Sequence, residues 1–223
     1  MPRVKTRVLL TTLMLALLAM PALAGERQRI KLRTAVNVWK ELMGSPGKKV
    51  PTNLLEDARC VAVIPGVIKG AFVWGGHRGK GVLTCRSGDG WSSPIFVNMT
   101  GGSFGLQIGG QSIDFVLFFV TDRGVHSLLK SEFTFGADAS VAAGPFGRTA
   151  EAATDLRLKA EIYSYGKARG LFAGLSFQGA RLAVNQKWLN DYYGRRLWPE
   201  SVLFEDAVSS PPPEAKAFLA VLP

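Results

Sequence analysis

Few residues in this chain are of a kind that moves protons, holds metals or attacks carbonyls. There are two histidines, His77 and His126, nearly fifty residues apart. His77 falls in a glycine-rich stretch and His126 on a predicted short helix, so neither belongs to a motif. Two His and two Cys make a poor zinc set, and neither a CxxC nor an HxxxH spacing occurs. Gly174-Leu175-Ser176-Phe177-Gln178-Gly179 is one residue too long for a nucleophile elbow, and no predicted helix follows it. The glycine runs fit neither G-x-G-x-x-G before a helix nor a P-loop. The acids are scattered; Asp138 or Asp155 would need burial beside a base in a cleft to act. General acid–base and nucleophilic catalysis both require a positioned group. None is legible, so we expect no enzyme, no metal and no cofactor.

What remains is charge. The 223 residues carry a net +10, to which Arg3, Lys5 and Arg7 contribute three, leaving +7 beyond residue 24. A basic surface favours polyanions. The candidate cations are Arg27, Arg29, Lys31, Arg33 and Lys40 near the start, then Lys69, Arg78, Lys80, Lys167 and Arg169. Each cation close to an anionic lipid surface contributes on the order of 1 kcal/mol. Four or five converging would hold a protein at a membrane. The competing reading is a structural or interaction module for a cell-envelope polymer or protein, served by exposed aromatics such as Trp91, Trp198 and Tyr163.

The elements that would position these residues begin after residue 24. A basic start, an apolar run from Val8 to Met20 and Ala22-Leu23-Ala24 have the order of a secretory signal peptide cleaved after Ala24. The apolar run is short for a membrane span, which takes about 20 residues. Export to a bacterial periplasm or envelope follows as an expectation, with no nucleic acid as partner. The remaining 199 residues suit one domain, with a core over about 30–194 and an extension over 195–223.

Residues 26–43 read as a helix, since Leu32, Ala35, Val36, Trp39, Leu42 and Met43 recur at three- and four-residue spacing. That stripe either packs on the core or inserts into an interface. A second short helix is predicted over 53–59. Strands are predicted near 60–64, 71–75, 80–86, 94–98, 103–108, 113–120 and 137–142, with glycine turns between. Residues 155–165 alternate, with Ile162 on one face and Tyr163 on the other. A hairpin over 171–177 and 180–185 turns at Gly179, a helix spans 186–193, and Ser209-Ser210-Pro211-Pro212-Pro213 links to a last short helix that could dock or fray. The class is α+β: a mainly antiparallel, strongly curved or barrel-like sheet with a few flanking helices. Cys60 and Cys85 both fall on predicted strands. In an oxidising compartment they form either a disulfide or two buried thiols.

Several segments, in order, carry a resemblance. They are Ala62-Val63-Ile64-Pro65-Gly66-Val67-Ile68-Lys69-Gly70, Gly79-Lys80-Gly81-Val82-Leu83, Trp91-Ser92-Ser93-Pro94, and Gly101-Gly102-Ser103-Phe104-Gly105-Leu106-Gln107-Ile108-Gly109. Gly136 to Pro145 and Tyr165 to Ser176 follow, ending in Tyr193-Gly194. Together, over roughly residues 30–220, they resemble the SYLF lipid-binding domain family, also described through its fungal members as an actin-binding domain. The resemblance implies binding to phosphoinositides or other anionic lipids. It departs at Gly166 and Ala168, where serines are expected, while Lys167 and Arg169 keep the charge. An exported protein would not ordinarily meet actin, so the expected partner is an anionic phospholipid surface, with any protein partner unknown.

Overall fold

Helix α1 (Glu26–Met43) forms as the periodicity requires and covers one face of the sheet. Its stripe of Leu32, Ala35, Val38, Trp39 and Leu42 is buried against the sheet. The core reading of that stripe is therefore the observed one. The computed structural model describes residues 25–45, 50–72, 74–104, 111–130, 133–145, 160–168, 171–174 and 179–223. The leader over 1–24 lies outside them.

After α1 come α2 (Thr52–Asp57) and the strands β1 (Cys60–Phe72), β2 (Trp74–Ser87), β3 (Gly90–Trp91), β4 (Ile95–Phe104) and β5 (Gln111–Phe119). Then follow α3 (Asp122–Lys130), β6 (Phe133–Thr134), β7 (Val141–Ala143), β8 (Ile162–Ala168), β9 (Leu171–Gly174) and β10 (Arg181–Val184). The chain ends in α4 (Gln186–Tyr193), α5 (Pro199–Phe204) and α6 (Pro213–Leu219). Asn185 caps α4 by accepting the Trp188 N–H at 3.0 Å, and Gly194, with φ 68°, stops it. The strands form one sheet in the order β6-β10-β4-β2-β1-β5-β8-β7, with β3 beside β2 and β9 beside β8. It is a strongly curled half-barrel in an α+β fold, antiparallel except where β7 runs parallel to β8. No helix among the described residues is long and apolar enough to cross a membrane.

Both faces of the sheet are covered. Val61, Val63, Val82, Phe96, Val116, Phe118 and Tyr165 meet α1, with Phe218 of α6 docked beside them. Ala62, Ile64, Leu83, Val97, Leu117 and Phe119 meet α3 and α5 on the other side.

Several expected boundaries move, for one shared reason. Pro65-Gly66, Gly75-Gly76 and Gly101-Gly102 look like turns but lie inside β1, β2 and β4. Of these, Gly101 serves close approach, not reversal. A Cβ on Gly101 would stand 2.3 Å from His77 Nε2. At Pro65-Gly66 the strand bulges and carries on. Val63 pairs Val82 and Val116, while Ile68 pairs Arg78 and Ser112, so β1 takes five steps where each neighbour takes four. Gly66 adopts φ 65°, the left-handed conformation that the extra residue of such a bulge needs.

The expected hairpin at Gly179 does not form. β9 pairs β8, whereas β10 pairs β4 and β6. The expected strand over 155–165 starts at Ile162, and 155–159 lie outside the described residues. The alternation holds, with Ile162 in one core and Tyr163 in the other, but neither face is solvent. Ile162 and Tyr163 are both buried, at 0 % and 8 % exposure, because helices cover both sides. Residues 136–138 form a turn, and the strand expected there is the shorter β7. Helix α5, opened by Pro199, was not expected.

Cys60 and Cys85 are directly opposed and joined by a disulfide. The Arg86 N–H donates to the Arg59 carbonyl at 2.7 Å, which makes the cysteines a non-hydrogen-bonded pair, where cross-strand side chains come closest.

Two outcomes follow from this packing. A Cβ on Gly81 would stand 2.5 Å from the Val63 carbonyl oxygen, whereas one on Gly90 meets nothing within 4 Å. Gly81→Ala should lose about 1–3 kcal/mol in urea unfolding, with Gly90→Ala nearly unchanged. Equal midpoints would mean that the bulged strand yields freely.

Burial, before any other cause, pushes Tyr165, Tyr192 and Tyr193 above the ordinary 10.0. Raised folded values contribute stability that is complete below the unfolded value and is lost as pH climbs through the folded ones. Above about pH 10 tyrosinate absorbance should therefore appear together with loss of near-ultraviolet dichroism. Tyrosinate in an intact fold would contradict it.

Candidate functional site

The bulge creates the polar centre of the helix-side face. An extra residue leaves backbone groups without ladder partners. Here the Gly66 N–H donates to Asp114 Oδ1 at 2.8 Å, and Lys31 Nζ of α1 donates to the Pro65 carbonyl at 3.1 Å. Burial lowers the Lys31 pKa from its ordinary value; Asp114 raises it again, and the like charge of Lys80 lowers it.

The registers turn these residues into rows across the sheet. One row joins Phe96, Val82, Val63, Val116 and Tyr165 and is apolar. Two residues further along the strands, Asn98 pairs Lys80 on one side of the bulge, and Asp114 pairs Lys167 on the other. Two residues further again, Arg181, Thr100, Arg78, Ile68 and Ser112 form a third row. All five members of the third row are exposed, Ile68 to 64 %.

The ten cations expected from sequence are therefore divided. Lys31, Lys80 and Lys167 converge on the middle row. Lys80 Nζ also stands 4.2 Å from the Trp188 ring centroid, and Lys167 forms an ion pair with Glu41 of α1. Arg33 reaches Glu214 of α6 at 3.0 Å, and Arg29 lies 3.7 Å from Glu26. Arg27 and Lys40 are exposed on α1, and Arg78 on the third row. Lys69 is placed by register alone, opposite His77 and Gln111. Arg169 lies outside the described residues.

Of the aromatics, Trp198 is 66 % exposed and Tyr163 is buried. Trp91 donates from Nε1 to the Pro223 oxygen at 2.8 Å under the Arg86 guanidinium. Asp138 accepts the Thr134 N–H at 2.6 Å in an exposed turn, and Asp155 lies outside the described residues. Among the described residues no three His, Cys, Asp or Glu side chains come together as a metal site.

The site also contains residues that the sequence reading missed. Asp114 had a signal, as the one charged residue between Ile95 and Phe119. Arg181 and Ile68 had none, because each is placed by a long-range register.

The arrangement can hold a negatively charged, partly apolar surface by charge and shallow contact. Among the described residues it shows no acid–base pair positioned for bond making.

Known proteins bear on this reading. A family model described as Ysc84, Las17-binding protein actin regulator, matches residues 100–223. The SH3 domain-containing YSC84-like protein 1 of Mus musculus is 34 % identical over 163 residues, covering 72 % of this chain and 48 % of that protein. LAS seventeen-binding protein 3 of Saccharomyces cerevisiae is 34 % identical over 179 residues, covering 78 % of this chain and 38 % of that one. The chain thus spans about half or less of the curated relatives it matches.

Asp114→Asn keeps an oxygen for Gly66 while removing the charge that raises Lys31. The Lys31 midpoint, followed by NMR of its ε-carbon, should fall further; an unmoved midpoint would place Asp114 away from it. Asp114→Ala, which leaves the Gly66 N–H unanswered, should cost about 1–3 kcal/mol in unfolding.

Proposed function

We propose that this chain, which belongs to the Ysc84/SYLF family, is an exported, non-enzymatic protein that binds peripherally to anionic, phosphoinositide-like phospholipid. The observation that carries the proposal is the third row. It joins Arg78 and Arg181 with Ile68, all exposed, beside the Lys31 and Lys80 ammonium groups. A cationic row with an exposed aliphatic side chain suits a phosphate-rich, partly apolar surface. Export rests on the leader-like order of charge, apolar run and small residues over 1–24. An intact mass beginning at Gly25, from envelope-fraction protein, supports it; a mass including Met1 would not.

A second reading draws on the family description, whose members are named for binding Las17 and regulating actin. On that reading the same face docks an acidic protein or an envelope polymer.

Vesicle co-sedimentation separates the two. The lipid reading expects binding to anionic vesicles, weak binding to neutral ones, and loss as salt rises. Arg78→Glu should weaken binding on the order of tenfold or more, since it removes one favourable charge and adds an unfavourable one. Indifference to both vesicle types would end the lipid reading and favour the protein or polymer partner.

A further inference from the structure

The middle and third rows differ in how their polar groups are answered. In the middle row each group named above has a partner inside the protein. Asn98 accepts from Asn185 Nδ2 at 2.9 Å and Asp114 from the Gly66 N–H at 2.8 Å. Lys31 donates to the Pro65 carbonyl at 3.1 Å, and Lys80 stands over the Trp188 ring. In the third row the Arg78 guanidinium and the Thr100 and Ser112 hydroxyls have no hydrogen-bond or ion-pair partner among the described residues. All three side chains are exposed. The fold thus spends its middle row on itself and leaves the third row to solvent.

Register fixes how the third row lies. Thr100 of β4 and Ile68 of β1 stand directly opposite Arg78 of β2, one on each side. Directly opposed residues share a sheet face, with Cβ atoms about 5 Å apart. Arg181 of β10 is opposite Thr100 on its other side. The two arginines therefore stand two strands apart, about 10 Å, with the short threonine between them. The order across the sheet is guanidinium, hydroxyl, guanidinium, then an exposed aliphatic side chain.

That order has a chemical counterpart. A guanidinium offers paired N–H groups in a fork that fits two phosphate oxygens. A hydroxyl one strand away donates to a third. A phosphomonoester has three terminal oxygens and a charge of about −1.5 to −2 at neutral pH. A phosphodiester has two terminal oxygens and a single charge, so it runs out of acceptors after the fork. Ile68, on the other flank of Arg78, lies where the apolar part of an amphiphile would continue, which favours a lipid over a free ester.

We propose that Arg78 and Thr100 form a phosphomonoester subsite: the Arg78 fork holds two terminal oxygens, Thr100 Oγ1 donates to the third, and Arg181 adds positive charge beside them. The inference rests on the lipid reading above and specifies what selects the headgroup, a terminal phosphate and not net charge alone.

The same phosphate chemistry occurs on lipids and on soluble esters, and the test separates the two. Phosphatidylcholine vesicles carry either phosphatidic acid, a monoester, or phosphatidylglycerol, a diester, in amounts that give equal zeta potential. The purified chain should bind the phosphatidic acid vesicles more tightly, on the order of tenfold. Arg78→Lys keeps the charge and loses the fork; Thr100→Val keeps the shape and loses the hydroxyl. Each should cut the preference to about twofold while phosphatidylglycerol binding hardly changes. Both positions are exposed, so thermal unfolding of the variants should match that of the native chain. Glycerol 3-phosphate, the same headgroup without acyl chains, should compete only at millimolar concentration. Equal binding at matched potential, or a preference that either variant retains, would overturn the subsite and leave the lipid reading standing. Binding of glycerol 3-phosphate by a chain that ignores every vesicle would end the lipid reading and assign the subsite to a soluble ester. Absence of binding to any of these probes would overturn both.

Discussion

The bulge at Pro65-Gly66 is the constraint on which the architecture turns. An extra residue in a central strand would ordinarily leave backbone groups unanswered in a crowded place. Here a carboxylate from β5 and an ammonium from α1 answer them, at 2.8 Å and 3.1 Å. Both exchanges reach beyond the strand itself. Asp114 belongs to the strand on one side, and Lys31 to the helix above. Gly79 and Gly81 face the bulge from the other side, where any Cβ would collide with Val67 or Val63. A local irregularity thus ties three strands and a helix together, and β1 can continue past the core without ending there.

The same geometry sorts the positive charge. Three cations that looked like a binding face hold α1 in place: Lys31 through the Pro65 carbonyl, Lys167 through Glu41, and Arg33 through Glu214 and so to α6. Polar contacts of this exposed kind contribute little individually; the buried stripe of Leu32, Ala35, Val38, Trp39 and Leu42 carries the packing of the helix. The cations that stay outward are Arg27 and Lys40 on the helix and Arg78 on the sheet. The proposed lipid face is therefore narrower than the net charge suggests, and lies more on the strands than on the helix.

Much of the fold was legible in the sequence. The stripe of α1 was plain from its spacing, and so was the α+β class with a curled, mainly antiparallel sheet. Glycine was the misleading residue. Gly75-Gly76 and Gly101-Gly102 look like turns because glycine serves both reversal and close approach, and at Gly101 only the neighbour that a Cβ would strike tells the two apart. The bulge had a second effect. Ile64 and Ile68, four apart, should share a strand face, yet Ile64 is buried and Ile68 is 64 % exposed, because one inserted residue flips all that follow. Arg181 entered the candidate site through the pairing of β10 with β4, which no local pattern encodes.

The disulfide has a mechanical meaning. Cys60 and Cys85 stand at the root of the long β1–β2 hairpin, 25 residues apart in sequence and directly opposed in space. The strands beyond them form a covalently closed loop, so they can neither slide past each other nor peel apart at the base. A load applied at the distal end must bend the ribbon as one cantilever or pass into the middle of the sheet, where β1 and β2 are flanked by β5 and β4.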